Sequence, residues 1–408
     1  MQIFRITDKR AFITQTLEKQ ILSYMKNRHI TLIATMLLCT VAIFGQDQPK
    51  LEVRPVARLL MDAALIDAGS ENKDLNDGFA VPDVRIGVAA KYGDWSATIE
   101  AGMQFGKVTP MDMYIRRDFS PTDYARAGFF VNQYGLQAAY SSSLKTGMEE
   151  PRSNMALAHN YQLGAEYVHH DSKFFGSLCF FSEKESMMRA GNETGNQGVG
   201  VVSRLVYRPL HDDNGNILAI GISGGLQTAQ YNKDNELNHR QITLMSTYPT
   251  RVSSVAAQKA EITDARFMAE FTPELTASYG RWCFEGQYYF NQVNRRNSLP
   301  AFIGSGAYGM VRTIIKGKPY QHNDDFCMTA IPQGGTMELC LGYSYSDLNS
   351  RKAQIRGGIV NDYSLVFNYY INNYILWRVR GSVTTAKART GFEDNTVSIL
   401  ETRLQIKI

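Results

Sequence analysis

Along most of the chain, apolar and polar residues alternate with a period of two. In VRIGVAAKY, Val84, Ile86, Val88, Ala90 and Tyr92 share one face, against Arg85, Gly87, Ala89 and Lys91. WSATIEAGMQF sets Trp95, Ala97, Ile99, Ala101, Met103 and Phe105 against Ser96, Thr98, Glu100, Gly102 and Gln104. The rhythm returns in VGVVSRLVYR, WCFEGQYYF and YSLVFNYYI. It returns again in SILETRLQIKI, where Leu400, Thr402, Leu404, Ile406 and Ile408 oppose Glu401, Arg403, Gln405 and Lys407. Successive side chains of a strand point to opposite sides of the pleat, so this pattern predicts strands with one greasy and one ionic face.

A strand over a soluble core would alternate in the same way, and length and joints decide between the two. The segments run about ten residues, the length a tilted strand needs to cross a bilayer. YGDW (92–95) and INN (371–373) read as tight turns, whereas 131–158, 184–197, 229–240 and 314–334 are longer connections. Short turns at one end and long loops at the other are what an outer-membrane barrel shows. Aromatic residues at the strand ends suit rings seated at lipid headgroups. Sixteen or seventeen strands fit over residues 51–408. Even numbers close such barrels, so the expectation is an all-β, transmembrane antiparallel β-barrel of about 16 strands, with one excess strand assigned in 107–130 or 250–270. Closure leaves no unpaired backbone in hydrocarbon, so the last strand must pair with the first, LEVRPVARLLMDAAL.

Composition agrees: Tyr (22), Phe (20) and Gly (33) are plentiful, Pro is scarce (12), and 44% of residues are hydrophobic. The long apolar run is ITLIATMLLCTVAIFG, after Lys26 and Arg28 and before polar QDQPK. A cationic start, an apolar stretch and a small residue before a polar one predict a secretory signal peptide over 25–45. Residues 1–24 then read as an upstream extension or misplaced start, 46–50 as a linker and 51–408 as the barrel. A lipid anchor at Cys39 is disfavoured by bulky Leu38. Residues 1–45 hold six Lys or Arg and two Asp or Glu, so removing them takes the chain's 43 basic and 39 acidic side chains to 37 of each. A neutral mature chain gives no reason to expect nucleic acid as a partner. Cys179, Cys283, Cys327 and Cys340 lack CxxC spacing and read as isolated thiols in strands.

VRIGVAAKYGDWSATIEAGMQFGKVTPMDMYIRRDF, residues 84–119, resembles the opening of the phosphate-selective porin O and P family. The likeness lies in an Arg-x-x-Gly strand, the Gly93-Asp94-Trp95 turn, Glu100 and the GKV segment that follows. ARAGFFVNQYGLQAAYSSSLKTGMEEP resembles the family's segment leading into a loop folded back into the pore. FEGQYYFNQVNR, MELCLGYSYSDLN and RGGIVNDYSLVFNYYINN follow in family order, so the likeness covers 79–408. Two departures stand out: Val131 to Gly135 reads Val-Asn-Gln-Tyr-Gly where the family has Lys-x-Pro-Phe-Gly, and Ile408 replaces a final aromatic.

The resemblance implies an outer-membrane porin of a Gram-negative bacterium, a homotrimer set among lipid and lipopolysaccharide. It would need no cofactor and would pass small polar solutes, with phosphate and other small anions as candidates. Its constriction would be the inward-folded loop at 131–158. Arg116, Arg117 and Arg126 flank that loop, and Lys145 and Arg152 lie within it; fixed cations there would concentrate anions. Glu149 and Glu150 make SSSLKTGMEEPR neutral overall, which leaves anion attraction and ordinary solvated charge as two open readings. A non-conducting adhesin or secretion-machinery barrel is the alternative. An enzyme would need a triad, and His159 and His239 have no sequence context that nominates a nucleophile. His169, His170 and Asp171 invite a metal, but adjacent strand residues face opposite ways. NETGNQGVG (192–200) lacks the context of a phosphate loop, and HDDNGN (211–216) reads as an Asn-Gly turn rather than a calcium loop.

Overall fold

The computed structural model describes residues 49–69, 74–212 and 214–408. The upstream extension, the signal peptide, Cys39, most of the linker and Asp213 lie outside the described residues. Val53–Ile408 is one compact unit; of the other, Met1–Glu52, only Pro49–Glu52 is described.

Among the described residues twenty strands form. β1 (Glu52–Asp67), β2 (Gly78–Tyr92), β3 (Trp95–Gly102), β4 (Thr109–Ser120) and β5 (Asp123–Val131) open the sheet. β6 (Tyr161–His170), β7 (Phe174–Ser182), β8 (Val199–His211) and β9 (Ile217–Thr228) continue it. After β10 (Gln241–Thr247) and β11 (Ala256–Thr263) come β12 (Ala265–Tyr279), β13 (Trp282–Arg295) and β14 (Phe302–Lys316). Beyond the short β15 (His322–Asn323) and β16 (Met328–Thr329), β17 (Thr336–Ser350), β18 (Ile355–Tyr370), β19 (Ile375–Arg389) and β20 (Asn395–Lys407) complete it. Sixteen of them form a closed barrel, while β10–β11 and β15–β16 are separate two-stranded sheets. β20 pairs antiparallel with β1, from Arg58 opposite Lys407 to Asp67 opposite Ser398, as the alternation of the last strand requires.

The excess strand is β11, whose strand ladder is with β10 instead of the barrel; β4 and β5, in the other doubtful stretch, are true barrel strands. A second expectation needs correcting. Neighbouring barrel strands run antiparallel, so connections alternate between the two ends, and the one from β14 to β17 falls at the same end as Tyr92–Trp95 and Tyr370–Ile375. The long stretch 314–334 therefore belongs to the turn end, with β15 and β16, not to the long-loop end.

The two faces separate as the pattern predicts. Leu65, Ile99, Leu178, Phe180, Leu341 and Leu400 are exposed on the outer wall, where lipid would cover them, while Arg204, Glu285, Arg312, Glu338 and Arg378 are buried inside. In the last strand Leu400 is 54% exposed and its neighbours Glu401 and Arg403 are 0% exposed, so the ionic face is the inner one. Trp95, Tyr279, Trp282 and Tyr374 stand exposed at the turn end, placed to meet headgroups. The tight turn after Tyr92 needs Gly93, whose φ of +57° is a conformation that side chains with a Cβ rarely adopt.

Candidate functional site: the polar interior and the segment 132–160

Between β5 and β6 the chain forms two short helices, α1 (Leu136–Ala139) and α2 (Arg152–Leu157). Gly135 sets the path into α1: its φ is +79°, and a Cβ there would collide with the Gln287 side-chain amide. The Gln137 side-chain amide then donates to Glu285 Oε1 (2.9 Å) and to the Tyr308 hydroxyl (3.0 Å). Glu285 also accepts from the Tyr140 hydroxyl (3.2 Å) and pairs with Arg312 (3.1 Å). Further on, Arg378 Nη2 donates to the carbonyls of Lys145 (2.5 Å) and Thr146 (3.1 Å). Arg403 Nη2 meets Glu149 Oε1 at 2.6 Å. In α2 the Ser153 amide donates to Ser344 Oγ (3.0 Å), and the Tyr289 hydroxyl donates to Asn154 Oδ1 (2.5 Å). The partners stand on inward faces of β13, β14, β17, β19 and β20, so the segment is tied at many points around the wall.

A cavity of about 620 Å³ lies between this segment, β1 to β5 and the β15–β16 connection. Arg54, Arg58, Arg85, Arg126 and Lys407 line it, with Glu100 and Asp112 as the acidic groups. Arg58 is turned by Asp83 (2.6 Å), and its other nitrogen bonds the hydroxyls of Ser141 (2.9 Å) and Ser143 (2.8 Å). Arg85 is fixed by Asp83 (3.2 Å) and the Tyr161 hydroxyl (2.8 Å). A second cavity of about 390 Å³, on the long-loop side, is lined by residues from 155–162, Gln227 to Asn232 and β10.

The five residues singled out in the sequence do not gather. Arg126 lines the larger cavity, pairing with Glu166 and lying 4.0 Å from the centre of the Phe130 ring. Arg116 pairs with Asp118 (2.6 Å) under the Tyr124 ring. Arg117 has the opposite orientation, over Trp95 and Phe119 on the outer face. Lys145 is buried, its ammonium donating to the Gln137 carbonyl with Glu150 3.9 Å away, and burial lowers its pKa. Arg152 is buried too, donating to the carbonyls of Thr247 (2.9 Å) and Glu150. Arg54, Arg58, Arg85 and Lys407 join Arg126 in the cavity lining without standing out in the sequence as a group; the alternation places Arg85 and Lys407 on ionic faces.

Three carboxylates, Asp62, Glu149 and Glu401, bring oxygens within 4.8 Å of one another around Arg403, which is their shared counter-charge. His169 and His170 do face opposite ways: His169 pairs with Asp123 (2.8 Å) and is half exposed, whereas His170 turns inward to Asp325 (3.2 Å). His239 Nε2 donates to the Thr194 carbonyl (2.7 Å), and His159 is clasped by Glu270 and stacked on Tyr134. Asp212 Oδ1 accepts the Asn214 (2.9 Å) and Asn216 (3.0 Å) amides, a turn built on its own side chain. The four described cysteines are free and buried; Cys327 sits in the turn-end connection rather than a strand.

A closed barrel with a greasy outer wall, an ionic interior and chain tied across it defines an outer-membrane channel protein. A family model for phosphate-selective porin O and P matches residues 55–408, and the chain belongs to that family. In fold it is similar to the outer-membrane expressed OmpT of Vibrio cholerae, at 12% identity and a TM-score of 0.56 over 89% of this chain and 99% of that one. An in-vitro folded trimer form of the same OmpT gives 10% identity and a TM-score of 0.55 over 88% and 99%. OmpF of Salmonella typhi, solved with daunomycin, gives 8% identity and a TM-score of 0.50 over 89% and 99%. Comparison with curated proteins finds no match in sequence. The protein is an outer-membrane porin.

Proposed function

We propose that this porin passes small anions in preference to cations, inorganic phosphate among them. The observation that carries the reading is the larger cavity, where five cationic side chains meet Glu100 and Asp112 in the lining and Asp83 and Glu166 behind it, an excess of one positive charge. In a narrow, low-dielectric passage such an excess raises the local anion concentration, while water in the lumen keeps binding weak enough for release. The segment 132–160 is the constriction in this reading, since its anchors reach β13, β17, β19 and β20. Of the five residues first singled out, Arg126 contributes to anion attraction directly. Lys145 and Arg152 shape the segment, Arg116 holds the turn-end connection beside Asp325, and Arg117 anchors the outer wall at the headgroups. Transport is passive diffusion with no catalysis. The chain reaches the membrane through the signal peptide at 25–45, contacts lipid and lipopolysaccharide through its outer wall, and assembles as a homotrimer, the form in which OmpT was also solved.

The test is single-channel conductance in a planar bilayer, with reversal potential measured across a salt gradient in potassium chloride and then in potassium phosphate. Anion-selective potentials in both salts are expected. A cation-selective potential would overturn the anion reading, and a silent bilayer would favour a non-conducting barrel. Lys145→Glu, compared with the native chain, separates a filter charge from a buried positioning residue.

A further inference from the structure

The outer wall carries a cluster of charge that solute passage does not use. At the long-loop end of β17, β18 and β19 stand Arg351, Lys352, Arg356 and Lys387, all exposed. Among the described residues none of the four is in an ion pair. Asp347 and Asp394, at the same end, accept the backbone amides of Asn349 and Ala388 (2.8 Å each), so these carboxylates are engaged in their own turns.

The backbone sets where the cations point. Thr384 and Ala386 are buried in the interior, so alternation puts Val383, Thr385 and Lys387 on the outer face. In β18 a Cβ on Gly357 would meet Ala260 and Leu348, and one on Gly358 would meet Arg389 and Gln258, all inside the barrel. Both glycines therefore face inward. The irregularity they make leaves Arg356 outside, on the strand where Ile359 stands opposite Lys387.

Below the cations comes a neutral polar layer. The Tyr343 hydroxyl donates to Asn361 Oδ1 (2.8 Å), and the Asn361 side-chain amide donates to Thr385 Oγ1 (3.4 Å). Below that, an open groove of about 790 Å³ runs along the wall between Leu341, Tyr363, Leu365, Val383 and Leu400. Gly381 is its floor: an added Cβ would meet nothing within 4 Å, so the wall is one side chain short there. Asp67 and Asp77 bound the groove on the β1 side.

Cation, hydrogen-bonding group and apolar groove follow one another in the order in which a membrane lipid presents phosphate, sugar or glycerol, and acyl chain. Long loops face the cell exterior, so the lipid is one of the outer leaflet. We propose that this face binds one phosphorylated, multiply acylated glycolipid. Its phosphates pair with Arg351, Lys352, Arg356 and Lys387, and one acyl chain lies in the groove over Gly381. Arginine and lysine unpaired at the membrane surface are the groups that recognise phosphate there, and Asp67 and Asp77 repel it toward the β17–β19 side. The inference rests on the outer-membrane placement and lipid contact proposed above, and it names the face and the groups that make that contact.

The test uses the full chain folded in detergent and an acylated diglucosamine bisphosphate as the probe, with uptake counted by native mass spectrometry. One probe per chain is expected, and the same lipid stripped of its phosphates should bind at least tenfold more weakly, a comparison that needs no variant to fold. Arg356→Gln with Lys387→Gln, and separately Gly381→Leu, should each weaken binding by roughly tenfold or more. Arg117→Gln, at the opposite end of the outer wall, should not. A fluorophore on Gly381→Cys should be quenched by lipid brominated on its acyl chains. Equal uptake of the two lipids, or affinity unchanged in both groove and cation variants, overturns the proposal. A fluorophore shielded from brominated lipid does so too, since a second copy of the chain would then cover the groove. A channel that conducts in a planar bilayer but takes up no phosphorylated lipid sinks this inference while leaving the porin reading intact.

Discussion

Arg403 on the last strand and Asp62 on the first are register partners that clasp the seam of the barrel, with Nε 2.7 Å from Oδ1 and Nη2 2.6 Å from Oδ2. This two-pronged pair sits where the closing strand must find its place. A slip of one residue would turn Arg403 to the lipid side, where a guanidinium is costly, so the pair helps fix the register. Arg403 also holds Glu149 of the segment 132–160 at 2.6 Å, so one side chain joins barrel closure to that segment.

Removing that side chain leaves Asp62, Glu149 and Glu401 buried without their shared cation. Arg403→Ala is expected to destabilise the folded barrel by about 3–5 kcal/mol, the usual cost of stranding buried charge. The transition from folded to unfolded mobility on heating in detergent gel electrophoresis would fall accordingly. Combining Arg403→Met with Asp62→Asn, Glu149→Gln and Glu401→Gln should recover most of the loss, because the charges then vanish together. A transition temperature that Arg403→Ala does not lower would refute the stated role.

Glu285 is the hub on which the start of the segment hangs, accepting from Gln137 and Tyr140 while pairing with Arg312. Hydrogen bonds to a charged group contribute about 1.5–3 kcal/mol each, so Glu285→Ala should free the segment without opening the barrel. Limited proteolysis is expected to cut within 132–160, and single-channel current should become noisier. Protection equal to that of the native protein would show that the remaining anchors suffice.

The barrel was largely legible in the sequence because lipid outside and water inside impose opposite demands on every strand, and period two records them residue by residue. Leu400, Glu401, Leu404 and Gln405 needed no tertiary information. What was not legible was where chain crosses the interior. β10 and β11 alternate like barrel strands, since a hairpin packed within polar walls meets a similar two-faced environment, and the connection at 314–334 looks like any long loop until parity around the barrel assigns its end. The candidate site shows the same limit: Lys145 and Arg152 lie close together in sequence and are buried in the segment's own hydrogen bonds, whereas Arg58, Arg85 and Lys407 are brought to one cavity by strands far apart in sequence.

Those cavity cations make selectivity testable. By Coulomb's law a unit charge about 8 Å from a passing ion in water is worth about 0.5 kcal/mol. Neutralising Arg54 and Lys407 together, as Arg54→Gln with Lys407→Gln, should then cost an anion about 1 kcal/mol and relieve a cation of about as much, a difference of about 2 kcal/mol or roughly thirtyfold in the ratio of anion to cation permeability. The reversal potential in a potassium chloride gradient reads this directly. Arg117→Gln, on the outer face, should leave the potential where it was; equal shifts in both variants would mean that the cavity charges do not set it.

Acid should loosen the segment 132–160 by a route that the geometry specifies. Burial alone would raise the Glu149 pKa, but Arg403, Arg251 and Arg152 outweigh it and hold the group at about 2, below its ordinary 4.5. A carboxyl with a lowered folded pKa contributes stability that is complete above its unfolded value and is lost as pH falls through the folded one. The tie between Glu149 and Arg403 should therefore persist from neutral pH down to about 4.5 and give way between there and about 2. Over that window single-channel conductance should rise or become noisy, with the barrel still closed by Asp62 and its neighbours. Glu149→Gln cannot ionise and should show the acid behaviour already at neutral pH; if its current there matches the native channel, the segment is not held by this carboxylate.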